Sequence, residues 1–210
     1  MAAAASKGMQ ADIVHLSELR TGDLVLFRNK RSLVSDVIAF GGRCKFSHVG
    51  MAVVNPPWRT DLRGTFLLES NVEPYRDAED NEFKCGATLS PLKEVVDAYG
   101  STDIFVRRLL SDHPWTDEDL IKAHSIVHNR PYDFAWSHWL RALLGLSIPP
   151  SYHAMWCSAL VALIYCHLRL LPRDYDYSAA TPETFCEGGG LLLEDGVALG
   201  PEQRLDLLDL

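Results

Sequence analysis

Phe46-Ser47-His48-Val49-Gly50-Met51-Ala52-Val53 is a run of β-branched, small and apolar residues that stops at Asn55-Pro56-Pro57. Such a run, closed by a turn signal, predicts a β-strand over residues 49–54 with His48 at its start. Alternate residues of a strand share a face, so His48 lies with Gly50 and Ala52. Those small neighbours are expected to leave room for another element to come close. Working outward, Thr21-Gly22-Asp23 turns into a strand at Leu24-Val25-Leu26-Phe27. Thr65 to Glu69 and Ile104 to Leu109 read as further members of the same sheet. Leu33 to Phe40 fits a short helix, and Ser90 opens another with Pro91 in its first turn. Thr116 followed by Asp117, Glu118 and Asp119 marks a helix start, and the helix runs to His128. The last strong helix begins near Trp156 and ends before Pro172. Strands flanked by helices at both ends of the chain favour an α+β fold, an antiparallel sheet packed against helices, over a parallel α/β sheet.

The chain has 210 residues, with 20 Lys+Arg against 28 Asp+Glu and a net charge of −8. One domain is expected at this length, over residues 13–187. Residues 1–12 read as a flexible tail, and 188–210 as an acidic, leucine-rich tail whose leucines pack on the domain or, as the alternative, on a partner. The acidic balance disfavours nucleic acid, whose phosphates require concentrated positive charge. No stretch reaches the ~20 apolar residues of a membrane span, and residues 1–10 lack the form of a secretory signal. The expectation is an intracellular, cytoplasmic protein without a transmembrane segment.

Five cysteines, an odd number, include no CxxC pair, which fits neither a zinc ribbon nor a disulfide scaffold. Cys157 differs from Cys44, Cys85, Cys166 and Cys186 in opening a well-marked helix. The helix dipole and free N–H groups there favour thiolate, and the same N–H groups can stabilise an oxyanion. A small buried cysteine is the plainer reading of Cys157 alone. A thiol nucleophile needs a base and a group to orient it. His48 at a strand start and Glu69 at the end of the next strand offer both, or are exposed strand-end residues. His124 and His128 stand four apart on one helix but have no carboxylate in an HExxH spacing, so no metal or other cofactor is expected.

Taken in order, Thr21–Phe27, Phe46–Val53, Phe66-Leu67-Leu68-Glu69-Ser70, Arg130-Pro131-Tyr132-Asp133 and Trp156-Cys157-Ser158-Ala159-Leu160-Val161 form a series. The series resembles the circularly permuted branch of the NlpC-type, papain-fold thiol hydrolases. It is close to the YiiX-like group with its poxviral members, and more distantly similar to lecithin retinol acyltransferase. The resemblance spans about residues 20 to 185 and implies Cys157 as nucleophile, His48 as base and Glu69 as orienting group. It also implies Tyr132 and Trp156 beside the substrate. Ala159 replaces the family's glutamate after Cys-Ser. Ala135 to Tyr152 is unusually apolar, which suits either a core segment or a wall for an acyl chain.

The expected activity is hydrolysis of an amide, peptide or lipid-ester bond through an acyl-enzyme on Cys157, in a small-molecule, peptide or lipid substrate. An acyltransferase would use the same intermediate. A non-catalytic structural protein on the same fold, virion-associated if the source is a virus, is the alternative.

Overall fold

The computed structural model describes residues 13–28, 46–72, 76–99, 104–132 and 155–206. The helix expected at Leu33 to Phe40, Cys44, the apolar stretch from Ala135 to Tyr152 and the first twelve residues lie outside them. Seven strands make one sheet: β1 (Ile13–His15), β2 (Leu24–Phe27), β3 (His48–Val54), β4 (Thr65–Asn71), β5 (Gly86–Pro91), β6 (Ile104–Ser111) and β7 (Val197–Asp206). Among the described residues three α-helices accompany it: α1 (Leu92–Tyr99), α2 (Asp117–Val127) and α3 (Cys157–His167). The fold is α+β. The strand order is β1-β7-β6-β2-β3-β4-β5, antiparallel throughout except that β1 runs parallel to β7.

Each sheet face carries its own core, because the central strands are apolar on both sides. On one face, Leu24, Leu26, Val49, Met51, Val53 and Leu68 pack with α3 and with Leu120, Ala123 and Val127 of α2. On the other, Val25, Phe27, Ala52 and Leu67 pack with Leu92, Val95 and Val96 of α1. Helix α3 is buried almost all round, which explains its near-continuous apolar sequence.

Two expectations give way here. Ser90-Pro91 ends a strand rather than opening a helix, and α1 starts at Leu92. Residues 197–206, read from sequence as part of a tail, form β7 between β1 and β6. A buried arginine secures that insertion. Arg107 of β6 donates through Nε to the Gly200 carbonyl at 2.8 Å and through Nη2 to that of Leu199 at 3.0 Å. Its Nη1 donates to the Phe185 and Cys186 carbonyls, both at 2.9 Å. The guanidinium's planar fork of donors suits this cluster of carbonyls.

The Thr21-Gly22-Asp23 turn also serves the architecture. Gly22 has φ +99°, and an added Cβ would lie 2.6 Å from Leu109 Cδ2, so glycine is required. Asp23, buried, accepts from Leu109 N–H at 2.9 Å and Arg108 Nη1 at 2.8 Å. The first of these bonds lies where the β6–β7 register shifts between Arg107 and Leu109. Tyr165 of α3 donates its hydroxyl to the Gly22 carbonyl at 2.6 Å and so ties the helix to the turn.

Candidate active site

The ladder between β3 and β4 runs from Val54↔Thr65 to Met51↔Leu68 and stops there. Beyond it, Glu69, Ser70 and Asn71 continue to pair with β5, while β3 continues to His48 alongside β2. The two strands thus part at the end that carries His48 and Glu69. The start of α3 is fixed at this opening. Ser70 Oγ donates to the Met155 carbonyl at 2.6 Å, and Met155 N–H donates to that of Pro131 at 3.0 Å. On the other side of the helix start, Ser158 Oγ and Trp156 Nε1 both donate to the Ala180 carbonyl, at 2.8 and 2.9 Å.

Into this opening the structure brings Cys157, His48 and Glu69. Cys157 is 4% exposed and Glu69 fully buried. His48 Nε2 hydrogen-bonds Glu69 Oε2, and the His48 ring and Cys157 interact closely enough for each to shift the other's pKa. With Nε2 engaged by Glu69, Nδ1 is the ring nitrogen left for the sulfur. Asn71 Nδ2 donates to the second carboxylate oxygen, Oε1, at 3.2 Å. Phe27 packs against the imidazole, ring centroids 5.5 Å apart.

The electrostatics follow from burial and close opposite charges. Burial alone would lower the His48 pKa; the charges and hydrogen bonds of Cys157 and Glu69 outweigh it and raise the value from 6.5 to about 10. Burial would raise the Cys157 thiol, yet the neighbouring His48 charge and hydrogen bond lower it, helped by the backbone N–H groups of Val49 and Ser158. Trp156, the N-cap residue of α3, offers no side-chain acceptor. The sulfur takes that place by accepting from the second residue of the helix. The arrangement favours a thiolate–imidazolium pair.

The route by which the three side chains meet differs from the sequence expectation. A Cβ on Gly50 would lie 2.7 Å from Leu67 Cδ1, so this glycine makes room for the neighbouring strand. Helix α3 lies instead against the face of Val49, Met51 and Val53. The parting of β3 from β4 lets Cys157 reach His48. Trp156 is buried with its N–H satisfied and acts as an anchor for the helix start, whereas Tyr132 is half-buried against the same core. Ala159 is buried within α3.

Among the remaining described cysteines, burial raises the thiol pKa of Cys85, and that of Cys166 to about 11. Neither has an imidazole partner to oppose the shift. No helix among the described residues is long and apolar enough to cross a membrane.

Sequence spacing offered His124 and His128 no third ligand, and the structure supplies one. Glu79, from the turn before β5, accepts from His124 Nε2 at 3.0 Å and lies 3.4 Å from His128 Nδ1. A contact across 45 positions leaves no local signal.

No protein-family model matches the chain, and no curated protein matches its sequence. Among solved structures the chain is similar to the metalloprotein YiiX from Escherichia coli O157:H7, a DUF1105 protein. The two are 21% identical with a TM-score of 0.48, over 71% of this chain and 66% of the YiiX chain. The chain spans just under two thirds of the YiiX length.

Proposed function

We propose that this chain is a cysteine-dependent hydrolase on a permuted papain-like fold of NlpC type. One observation carries the reading: a buried thiol at a helix N-terminus, coupled by charge to an imidazole whose Nε2 is held by a fully buried carboxylate. A nucleophile, a base and an orienting group in that sequence are what acyl transfer through sulfur requires.

In the proposed reaction the Cys157 thiolate attacks a carbonyl carbon, and the oxyanion is met by the Cys157 backbone N–H at the head of α3. His48 gives its proton to the departing amine or alcohol as that bond breaks, leaving a thioester. Neutral His48 then takes a proton from water, whose oxygen attacks the thioester and releases the acid. Expulsion of the Cys157 thiolate, with that proton kept on His48, restores the ion pair. Glu69 holds the ring in the tautomer that serves sulfur and stabilises its charged form. The substrate class is an amide, peptide or lipid ester, with a transferase differing only in the final acceptor.

The test is to trap the intermediate. Activated acyl esters and acyl thioesters of graded chain length are mixed with the protein, quenched in acid and weighed intact. One acyl group per chain, mapped to Cys157 and absent from Cys157→Ala, is expected. No adduct at Cys157, or equal labelling of Cys157→Ala, would overturn the proposal.

A further inference from the structure

A second constellation lies apart from the thiol site and shares no residue with it. Glu79 Oε2 sits 3.0 Å from His124 Nε2 and 3.4 Å from His128 Nδ1, and the three atoms all lie within 4.8 Å of one another. Ligand atoms at zinc–nitrogen and zinc–oxygen distances, arranged tetrahedrally, stand about 3.3 Å apart. The two separations to Glu79 are near that figure, and the two imidazole nitrogens lie within 4.8 Å of each other.

The residues are also held in place. Glu79 N–H donates to Asp77 Oδ1 at 3.0 Å, and its carbonyl accepts from Arg59 Nη1. Asp77 is buried and paired with Lys84 Nζ at 2.7 Å. His124 is stacked on Trp58, with ring centroids 3.9 Å apart and planes inclined by 11°. His124 lies in the last turn of α2 and His128 is its C-cap residue, four positions on. His128, 37% exposed, leaves the group open to solvent on one side.

We propose that Glu79, His124 and His128 form a three-ligand site for a first-row divalent metal of the zinc class, with its fourth position open to solvent. Two imidazoles and one carboxylate suit zinc and its neighbours better than the oxygen-seeking magnesium or calcium. Both rings must present a lone pair to the ion, so the protons directed at Glu79 move to the far ring nitrogens or to solvent.

Asn129 is the neighbour that this change displaces. Its Nδ2 lies 3.0 Å from His128 Nε2, and its Oδ1 accepts from Lys84 Nζ at 2.6 Å. A proton on Nε2 cannot face the Nδ2 donor, so the amide swings away from the ring when Nδ1 binds the ion. Lys84 keeps Asp77 and Asp80 as partners. The ion would clip the turn before β5 to the end of α2, joining segments 45 positions apart.

Cobalt(II) tests the site because its visible bands report both geometry and ligand type. The full chain is stripped with chelator and titrated, and zinc is then used to displace the cobalt. The expected result is saturation at one equivalent, tetrahedral-type bands and no thiolate-to-cobalt charge-transfer band. Glu79→Gln and His128→Ala should each weaken binding by about a hundredfold or more. His128 is surface-accessible, so its variant separates ligation from folding, and circular dichroism verifies both. Zinc at a hundredfold excess over its Kd should raise the Tm by roughly 5–10 °C. Absence of one-equivalent binding, a charge-transfer band from cysteine, or unchanged binding in both folded variants would overturn the proposal. None of these readouts depends on Cys157 chemistry.

Discussion

Replacing His48 by alanine slows alkylation of Cys157 at about pH 6.5 by roughly tenfold or more. The reasoning starts from the ordinary thiol pKa of 9.0, at which only about 0.3% is thiolate at that pH. Without the imidazolium, burial alone acts on Cys157 and drives the thiol above its ordinary value. A more basic thiolate is intrinsically more nucleophilic, which returns roughly one order of magnitude of a loss of two to three. Turnover of any acyl substrate should fall further, by about 10²–10⁴, because the proton donor and acceptor are lost as well. Alanine also strands the buried Glu69 carboxylate, a change that costs about 3–5 kcal/mol. His48→Gln separates the two effects: its amide can donate to Glu69 but cannot carry the proton. The measurement is the rate of iodoacetamide labelling at Cys157 by peptide mass spectrometry, with Cys85 as internal reference. A His48→Gln protein that folds and labels at the native rate would refute the pairing.

Glu69→Gln is expected to be nearly as severe for turnover, about 10²–10⁴-fold, although it changes a single atom. Asn71 Nδ2 donates to Oε1, which requires an oxygen at that end of the side chain. The amide nitrogen of glutamine is then forced towards His48 Nε2, the position now held by Oε2. Two donors cannot face each other, so Nε2 must become an acceptor and the ring proton moves to the nitrogen beside sulfur. Neutral His48 in that tautomer cannot take a proton from water on the sulfur side. The charge of Glu69 is also lost, so the His48 pKa should drop from about 10, Glu69 being the second of the two charges that raise it. Nuclear magnetic resonance of the His48 ring gives both the tautomer and the pKa. An unchanged tautomer and titration with native turnover would remove Glu69 from the mechanism.

Much of the frame is legible in local sequence. Leu24–Phe27 is a four-residue apolar run after a glycine turn, and Thr116 caps α2 in a capping box with Asp119. These features act over a few residues, so they can be read without knowing the fold. Strand β5 is not legible in sequence because Ala87 and Leu89 alternate with Thr88 and Ser90, whose polar side chains lie on the other face and resemble a loop. Strand β7 contains Gly200-Pro201 and is mostly half-buried with no clear alternation, so its pattern is weak. It is held by β1, β6 and Arg107, all distant in sequence.

The candidate site divides in the same way. Cys157, His48 and Glu69 each carry a local mark, a helix start or a strand end. Their meeting depends on where the β3–β4 ladder stops, which no local pattern encodes. Asn71, which fixes the orientation of Glu69, and Glu79, which joins the two histidines, were not singled out by sequence. Each is one polar residue among many, and only the folded sheet and turn give it a partner.

The linkage has a definite sign. His48 is raised, so its contribution to stability is full below its ordinary 6.5 and is lost as pH rises through about 10. Cys157 is lowered, so its contribution is full above its ordinary 9.0 and is lost as pH falls through its depressed value. Between those two folded-state values the ion pair is the ground state. The most direct measurement is therefore the pH dependence of Cys157 alkylation in the native protein. A preformed thiolate predicts a rate that changes by less than about threefold between about pH 7 and pH 8.5. An ordinary thiol of pKa 9.0 would climb by about 25-fold over that interval, and such a climb at Cys157, parallel to that of Cys85, would contradict the thiolate–imidazolium pair.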